Sequence, residues 1–438
     1  MRSEGDALSG RASGPTTPWE ESVSRAKPFE IPKQWVWKAW QQVKANHGAH
    51  GVDGQSIAAF EEELGRNLYK LWNRLSSGSY FPPPVRAVEI PKGDGRMRLL
   101  GIPTVEDRIA QAVVRNYLEK HLEPHFHRDS YAYRPGKSAL DAVAITRTRC
   151  WQYNWVLEFD LKGAFDNINH TLMMKAVRHH TECPWGLLYV ERWLKAPLMK
   201  GQEITARTQG TPQGGVISPL LFNLYMHYAF DQWMARHFPR TLFARYADDG
   251  LLHCRSEAEA RQLLVAIGAR MRMCGLELHP EKTKIVYCRD GNRKNAYPNT
   301  SFDFLGYTFR GRLAKSRKGI YFNSFSPAIS RKVIKRIHGK MREWAIGRWT
   351  DADIGKIAEL TNPVMRGWWN YYGAFYPSAC KRVMKHLNAI LEKWAIRKYR
   401  RFRKSKIRAR QWLRQLAERD CALLFHWSLG ALPSQPVG

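Results

Sequence analysis

No run of 18 apolar residues occurs in this sequence, and it contains no signal-peptide core, which argues against a helical membrane span and against export. Its seven cysteines, Cys150, Cys183, Cys254, Cys274, Cys288, Cys380 and Cys421, are scattered, odd in number and never in a C-x-x-C pair. That pattern excludes a disulfide framework and a zinc ribbon, so a metal would be held by oxygen, in a reducing, cytosol-like compartment. A Rossmann fingerprint and a P-loop are also missing, which removes two common nucleotide-binding architectures. Acid is the scarcest class relative to expectation: 39 Asp and Glu face 70 Lys and Arg, so the formal charge is 70 − 39 = +31.

So large and widely spread an excess points to a long polyanion, because each phosphate neutralised releases counterions. The 438 residues, 44% hydrophobic and 12% aromatic, suffice for two or three domains with real cores. Residues 1–33 are rich in Ser, Gly, Pro and charge and read as a flexible leader. From Trp35 the pattern turns helical, glycines in GAHGVDGQS break it, and Ile57 to Leu75 resumes a helix. Residues 34–84 form one region, closed by Phe81-Pro82-Pro83-Pro84.

Val85 to Ile90 alternates like a strand, followed by a Gly-containing turn carrying Lys92, Arg96 and Arg98; a basic hairpin can fold over a triphosphate or simply be solvated. Thr104 opens a helix. Trp155 to Asp160 is a short strand with a carboxylate at its end, and Asp166 reads as a helix-start or structural acid. In GTPQGGVISP, Ser218 is a candidate N-cap and Pro219 the first helical residue. Side-chain-free backbone at Gly214 and Gly215 admits a close nucleotide or serves a tight turn.

LFARYADDGLLHC reads as a hairpin with Asp248 and Asp249 at its turn, where paired acids either bind metal or are solvated. Leu276 to Cys288 and Phe302 to Phe309 are strand material, and the character becomes helical from Ser326-Pro327, with Ile329, Val333, Ile337, Met341 and Trp344 as a core stripe. The basic run Lys393 to Arg414, with Trp394, Tyr399, Phe402 and Trp412 interleaved, reads as a nucleic-acid platform. The fold class is α+β, then helical.

In order along the chain stand GAHGVDG, IPKGDGRMRLLGIPTVEDR, SYAYRPGKS, DLKGAFDNINH, GTPQGGVISPLLFNLYM, RYADD, LHPEKTKIV, FDFLGY and RGWWNYY. Together they resemble the group II intron reverse transcriptase and maturase family, from about Trp35 to Gly430. The resemblance implies a right-hand polymerase fold, fingers and palm over 85–320, then an α-helical thumb or maturase domain X over 321–438. It implies that Asp160 and Asp248 bind two Mg2+ ions, with Asp249 beside them and the Leu161 carbonyl helping; hard cations take oxygen ligands. Lys92 and Arg98 match residues that hold the incoming triphosphate, Gln213 one that lines the nucleotide and template site, and Phe165 the aromatic that excludes a 2′-hydroxyl.

The activity so implied is RNA-directed DNA polymerisation: copying intron RNA into cDNA from a DNA primer with deoxynucleoside triphosphates, together with intron RNA binding that promotes splicing, and insertion at target DNA. A bacterial, nucleoid-associated cytoplasmic protein without an H-N-H endonuclease is expected. A splicing cofactor with a dispensable polymerase, or a domesticated relative in repair or phage defence, shares these motifs. Departures from the family pattern are Leu99 for proline, Ala132 for glycine, Asn169 for aspartate and Phe222 for a small residue.

Overall fold

A computed structural model describes residues 27–91, 97–316, 318–403 and 405–434. Lys92 and most of the expected leader lie outside the described residues. The strands are, in chain order, β1 (Val85–Pro91), β2 (Met97–Ile102), β3 (Trp155–Phe159), β4 (Leu198–Lys200), β5 (Glu203–Thr205), β6 (Leu242–Tyr246), β7 (Asp249–Cys254), β8 (Lys284–Tyr287), β9 (Phe302–Phe304), β10 (Tyr307–Lys315) and β11 (Tyr321–Ile329). The chain divides into two compact units, residues 1–126 with 163–228, and residues 127–162 with 229–438.

The first unit is built on the Val105–Leu122 helix, which the Thr104 hydroxyl caps by accepting from the Asp107 amide at 3.1 Å. Ile109, Ala110, Val113, Val114 and Leu118 of this helix are fully buried. Asp107 is buried with them, and that burial pushes its pKa up to about 6. Its carboxylate accepts from Tyr80 (2.8 Å), Trp193 (2.7 Å) and Gln111 (2.9 Å), so the desolvated acid has partners on three sides. Strands in this unit form the order β2-β1-β4-β5. The helix expected over Ile57 to Leu75 is two, Ile57–Glu62 and Leu64–Ser76, because Glu63 leaves helical geometry (φ −115°, ψ 38°).

The second unit contains an antiparallel sheet ordered β6-β7-β3-β8 and a smaller one ordered β11-β10-β9. Phe302 to Phe309 is not one strand: Leu305 (φ 50°) and Gly306 (φ 82°) turn β9 into β10 as a two-residue hairpin. Ser326 and Pro327 also lie in a strand. β11 is an edge strand, where proline costs no ladder donor, and the helical run starts only at Arg331, capped by Ser330. Val333, Ile337 and Met341 of the expected stripe are buried in the core. The polypeptide is therefore α+β and then helical, as its sequence pattern indicates. None of the helices among the described residues is long and apolar enough to cross a membrane.

Candidate active site

Asp160 follows directly on β3, whose five residues all pair with β7 and whose first four also pair with β8. The aspartate is 7% exposed; its carbonyl accepts from the His279 amide at 2.8 Å, and its Oδ2 is bonded to the Lys282 ammonium. The ladder around Leu161 is made by the Asp160 carbonyl and the Lys162 amide, which leaves the Leu161 carbonyl out of it. On the neighbouring strands, Tyr246 pairs with Asp249, so Ala247 and Asp248 are the two-residue loop, with Ala247 in the left-handed region (φ 56°). Asp248 is thus in the turn and Asp249 is the first residue of β7.

Gly250 makes this possible. A Cβ there would stand 2.1 Å from the Phe159 ring, which lies over the hairpin just before Asp160. Burial pushes the Asp249 carboxyl up to about 7, and the charges of Asp248, Asp160 and Glu158 push the same way, while Lys282 opposes them. Glu158 is likewise raised to about 7 by burial, opposed by Lys284 at 3.2 Å. Carboxylates are crowded at one place, although among the described residues no three His, Cys, Asp or Glu groups stand at metal-chelating distance.

Arg245 had no assigned role in RYADD. It is completely buried and forms a two-pronged ion pair with the equally buried Asp231, at 2.8 Å through Nε and 2.6 Å through a terminal nitrogen. The same guanidinium donates to Ser130 Oγ (2.8 Å) and to the Ala247 carbonyl (3.1 Å). It therefore holds the loop that presents the two acids. Arg134 of SYAYRPGKS donates to the His127 and Ser130 carbonyls at 2.6 and 2.8 Å.

In the first unit, Arg98 Nε donates to Gln213 Oε1 at 2.5 Å, and Gln213 Nε2 lies 3.4 Å from Asp166 Oδ2. Phe165 is beside them in sequence: its carbonyl accepts from the Thr211 amide at 2.8 Å, and its ring stacks on Phe222 (4.4 Å, 18°). The structure brings together Arg98, Gln213 and Phe165. Asp166 does not start a helix; Asn169 does, capping His170–His180 through the Leu172 amide at 3.0 Å.

Ser218 is not an N-cap either. It is the first helical residue, and its hydroxyl bonds Thr211 Oγ1 at 2.9 Å. Gly214 (φ 116°) would place a Cβ 2.4 Å from the Gly101 carbonyl, and Gly215 one 2.5 Å from Ser218 Oγ. Gly214 serves the packing of the loop onto β2, where the Gln213 carbonyl accepts from the Gly101 amide at 2.7 Å, and Gly215 the packing of the loop on the start of the helix at Ser218.

Residues 90–309 match the reverse transcriptase (RNA-dependent DNA polymerase) family, and residues 334–412 match the group II intron maturase-specific domain. The chain is 32% identical over 314 residues to protein YkfC of Escherichia coli, covering 63% of this chain and 80% of that protein. The chain belongs to the group II intron reverse transcriptases. It is an RNA-directed DNA polymerase with a maturase domain, and intron RNA is its nucleic-acid partner. Further relatives of this reverse transcriptase are the group II intron-encoded protein LtrA of Lactococcus lactis and an uncharacterized 91 kDa protein in the cob intron of Schizosaccharomyces pombe. LtrA is 34% identical over 211 residues, 48% of this chain and 35% of LtrA. The S. pombe protein is 23% identical over 426 residues, 79% of this chain and 50% of that protein.

The maturase region of this reverse transcriptase corrects one expectation. Trp394 and Phe402 are buried and Tyr399 and Trp412 half-buried, and the four rings pack on one another at 5.2 to 6.4 Å. They are core, not an exposed stacking platform. Lys393, Arg397, Arg400, Arg401, Arg403, Lys406 and Arg408 are left on the surface around them. The helical period explains this: Ala409, Leu413 and Ala417 face inward on Lys406–Arg419, and the charges take the remaining faces.

Proposed function

We propose that this reverse transcriptase copies intron RNA into cDNA at Asp160, Asp248 and Asp249, extending a DNA primer with deoxynucleoside triphosphates, and that its maturase region binds the intron to promote splicing and insertion at target DNA. We place that work in the bacterial cytoplasm, at the nucleoid. The observation that carries the reading is the crowding of Asp160, Asp248, Asp249 and Glu158 at one place: burial lifts the Asp249 carboxyl to about 7, and the charges of the other three add to the rise. Such a cluster is electrostatically costly unless cations approach it.

The donor set fits Mg2+: it is all oxygen, and Asp160 already attracts the Lys282 ammonium. Asp160, Asp248, Asp249 and the Leu161 carbonyl would hold two such ions. When bound, the ions lower the pKa of the primer 3′-hydroxyl and offset charge on the leaving pyrophosphate.

The remaining steps fall to side chains. Arg98, with Lys92, binds the triphosphate, the guanidinium as a bidentate donor and the ammonium as a point charge. Gln213, hydrogen-bonded to Arg98, orients that guanidinium and lines the nucleotide and template site. The Phe165 ring, backed by Phe222, closes the space a ribose 2′-hydroxyl would need.

Primer extension on an RNA template tests the proposal. Synthesis that begins on adding Mg2+ and stops with chelator is expected; extension insensitive to divalent ions contradicts it.

A further inference from the structure

Asp107 and Gln111 lie one turn apart on the Val105–Leu122 helix, and both side chains are shut off from water. The Asp107 carboxylate divides its partners between its two oxygens. Oδ1 accepts from Tyr80 and Trp193, and Oδ2 accepts from the Gln111 side-chain amide at 2.9 Å. Gln111 carries the contact further: its Oε1 accepts from the Ile217 backbone amide at 3.2 Å, 106 residues along the chain. Ile217 stands at the N-cap position of the Ser218–Met226 helix and has no polar side chain to cap it. Gln111 therefore supplies, from another helix, an acceptor that this helix start lacks locally.

The chemistry of its two neighbours fixes which way the Gln111 amide points. An ionised carboxylate accepts and cannot donate, and a peptide N–H donates and cannot accept, so a glutamine between them satisfies both in one of its two flips. The other flip sets the side-chain NH2 against the Ile217 N–H, donor against donor, in a place without water to relieve either. Burial raises the Asp107 pKa to about 6, which leaves the carboxyl ionised at pH 8.

What Gln111 holds is the end of the loop that carries Gln213. The start of that loop is anchored by the Gly210 and Thr211 amides, which donate to the Ile168 and Phe165 carbonyls at 2.8 Å each, and its middle by the Gln213 carbonyl on Gly101. Its end rests on Gln111 through the Ile217 amide, and a Cβ on Gly215 would lie 3.2 Å from the same Oε1. Gln213, between these anchors, accepts from Arg98.

We propose that Asp107 and Gln111 are positioning residues for nucleotide binding: the carboxylate sets the flip of the Gln111 amide, the amide fixes the loop at Ile217, and the loop presents Gln213 and its partner Arg98 to the incoming deoxynucleoside triphosphate. This rests on the reading of Gln213 and Arg98 as nucleotide contacts. Asp107 and Gln111 act through them, from the core.

The test is single-nucleotide incorporation by the full chain on an RNA template and DNA primer with Mg2+ at pH 8, with kcat and dNTP KM read separately. In Asp107→Asn, Oδ1 keeps Tyr80 and Trp193 while an NH2 replaces Oδ2, so the Gln111 amide must flip and bring a donor onto the Ile217 N–H. The dNTP KM is expected to rise about tenfold with kcat within about twofold of wild type. Adding Gln111→Glu restores the pattern, because one carboxylate oxygen accepts from the new amide and the other from Ile217, with a single buried charge as in wild type. The double variant is expected to return KM to within about twofold of wild type, a rescue that a merely structural role for Asp107 would not give. Gln111→Met keeps the volume but loses both bonds; it should raise KM by a similar factor, and it supplies the measurement if Asp107→Asn does not fold. Gln213→Ala separates the proposal from the reading beneath it, since a raised KM is expected there too. If Gln213→Ala leaves KM unchanged, the reading of Gln213 is wrong and the proposal falls with it. If Gln213→Ala raises KM while Asp107→Asn and Gln111→Met do not, or if the double variant stays as impaired as Asp107→Asn, the proposal alone is overturned.

Discussion

Arg245→Met removes the cation from a pair in which both side chains are completely excluded from water. Methionine fills much the same volume, so the perturbation is electrostatic: Asp231 keeps its place but loses both charge-assisted bonds, and its burial leaves no solvent to replace them. Stranding one charge in this way costs about 3–5 kcal/mol, a large share of the roughly 5–15 kcal/mol that holds a domain folded. In a unit of this size that is a fall in Tm of about 10 °C. Arg245→Met combined with Asp231→Leu removes the stranded charge as well. What remains lost are the bonds to Ser130 and Ala247, about 1 kcal/mol each, so the double variant should melt within about 6 °C of wild type. Differential scanning calorimetry of the three proteins at pH 7 measures this. A single variant within 2 °C of wild type, or a double variant as unstable as the single, would refute the claim that the pair is the buried keystone of the acid hairpin.

Phe222→Ala should leave the Phe165 ring unsupported and lower the preference for dNTP over rNTP by about tenfold in single-nucleotide kcat/KM; a Phe222→Leu variant should recover most of it, and an unmoved ratio would separate Phe222 from sugar discrimination. His426 lies 2.7 Å from Asn388 Oδ1, and burial holds its ring neutral with a pKa near 3, whereas the unfolded ring protonates near 6.5. The folded state binds fewer protons below about pH 6.5, so this contribution is present at pH 7 and is lost as the pH falls; at pH 5 the loss is about 2 kcal/mol. His426→Gln should flatten that slope in pH-dependent melting, and parallel profiles for the two proteins would contradict it. Asp107→Ala strips Tyr80, Trp193 and Gln111 of their shared acceptor and should destabilise the first unit by about 2–3 kcal/mol, which urea unfolding followed by Trp fluorescence reads directly; a shift below 0.5 kcal/mol would mean that the three donors find other partners.

Local pattern made some of this visible in the sequence and hid the rest. An apolar run ending in Asp160 and an alternating pair of strands around Asp248 state their own geometry, because strand period and turn chemistry are read within a few residues. Thr104 as a cap is of the same kind. Arg245 shows what such reading misses: it adjoins the acids, but its meaning lies in Asp231, 14 residues earlier, and nothing local says that a lone arginine in a strand is buried. The only available signal was a charged residue at an inward position of an otherwise apolar strand.

The aromatic residues of 393–414 were misread for the opposite reason. Charge is so dense there that the inward stripe is masked, and the rings close on each other instead of on a ligand. Gly214 and Gly215, open to a nucleotide or to a turn by sequence alone, are explained by contacts with Gly101 and Ser218. Lys282, quoted within a motif but given no task, meets Asp160 from 122 residues away.

The central claim, synthesis at the three aspartates with intron binding elsewhere, is tested most directly by measuring both activities in one variant. Asp248→Ala should lose Mg2+-dependent DNA synthesis on an RNA template by on the order of 10³-fold or more while binding intron RNA with wild-type affinity. Equal synthesis by Asp248→Ala and wild type would contradict the account.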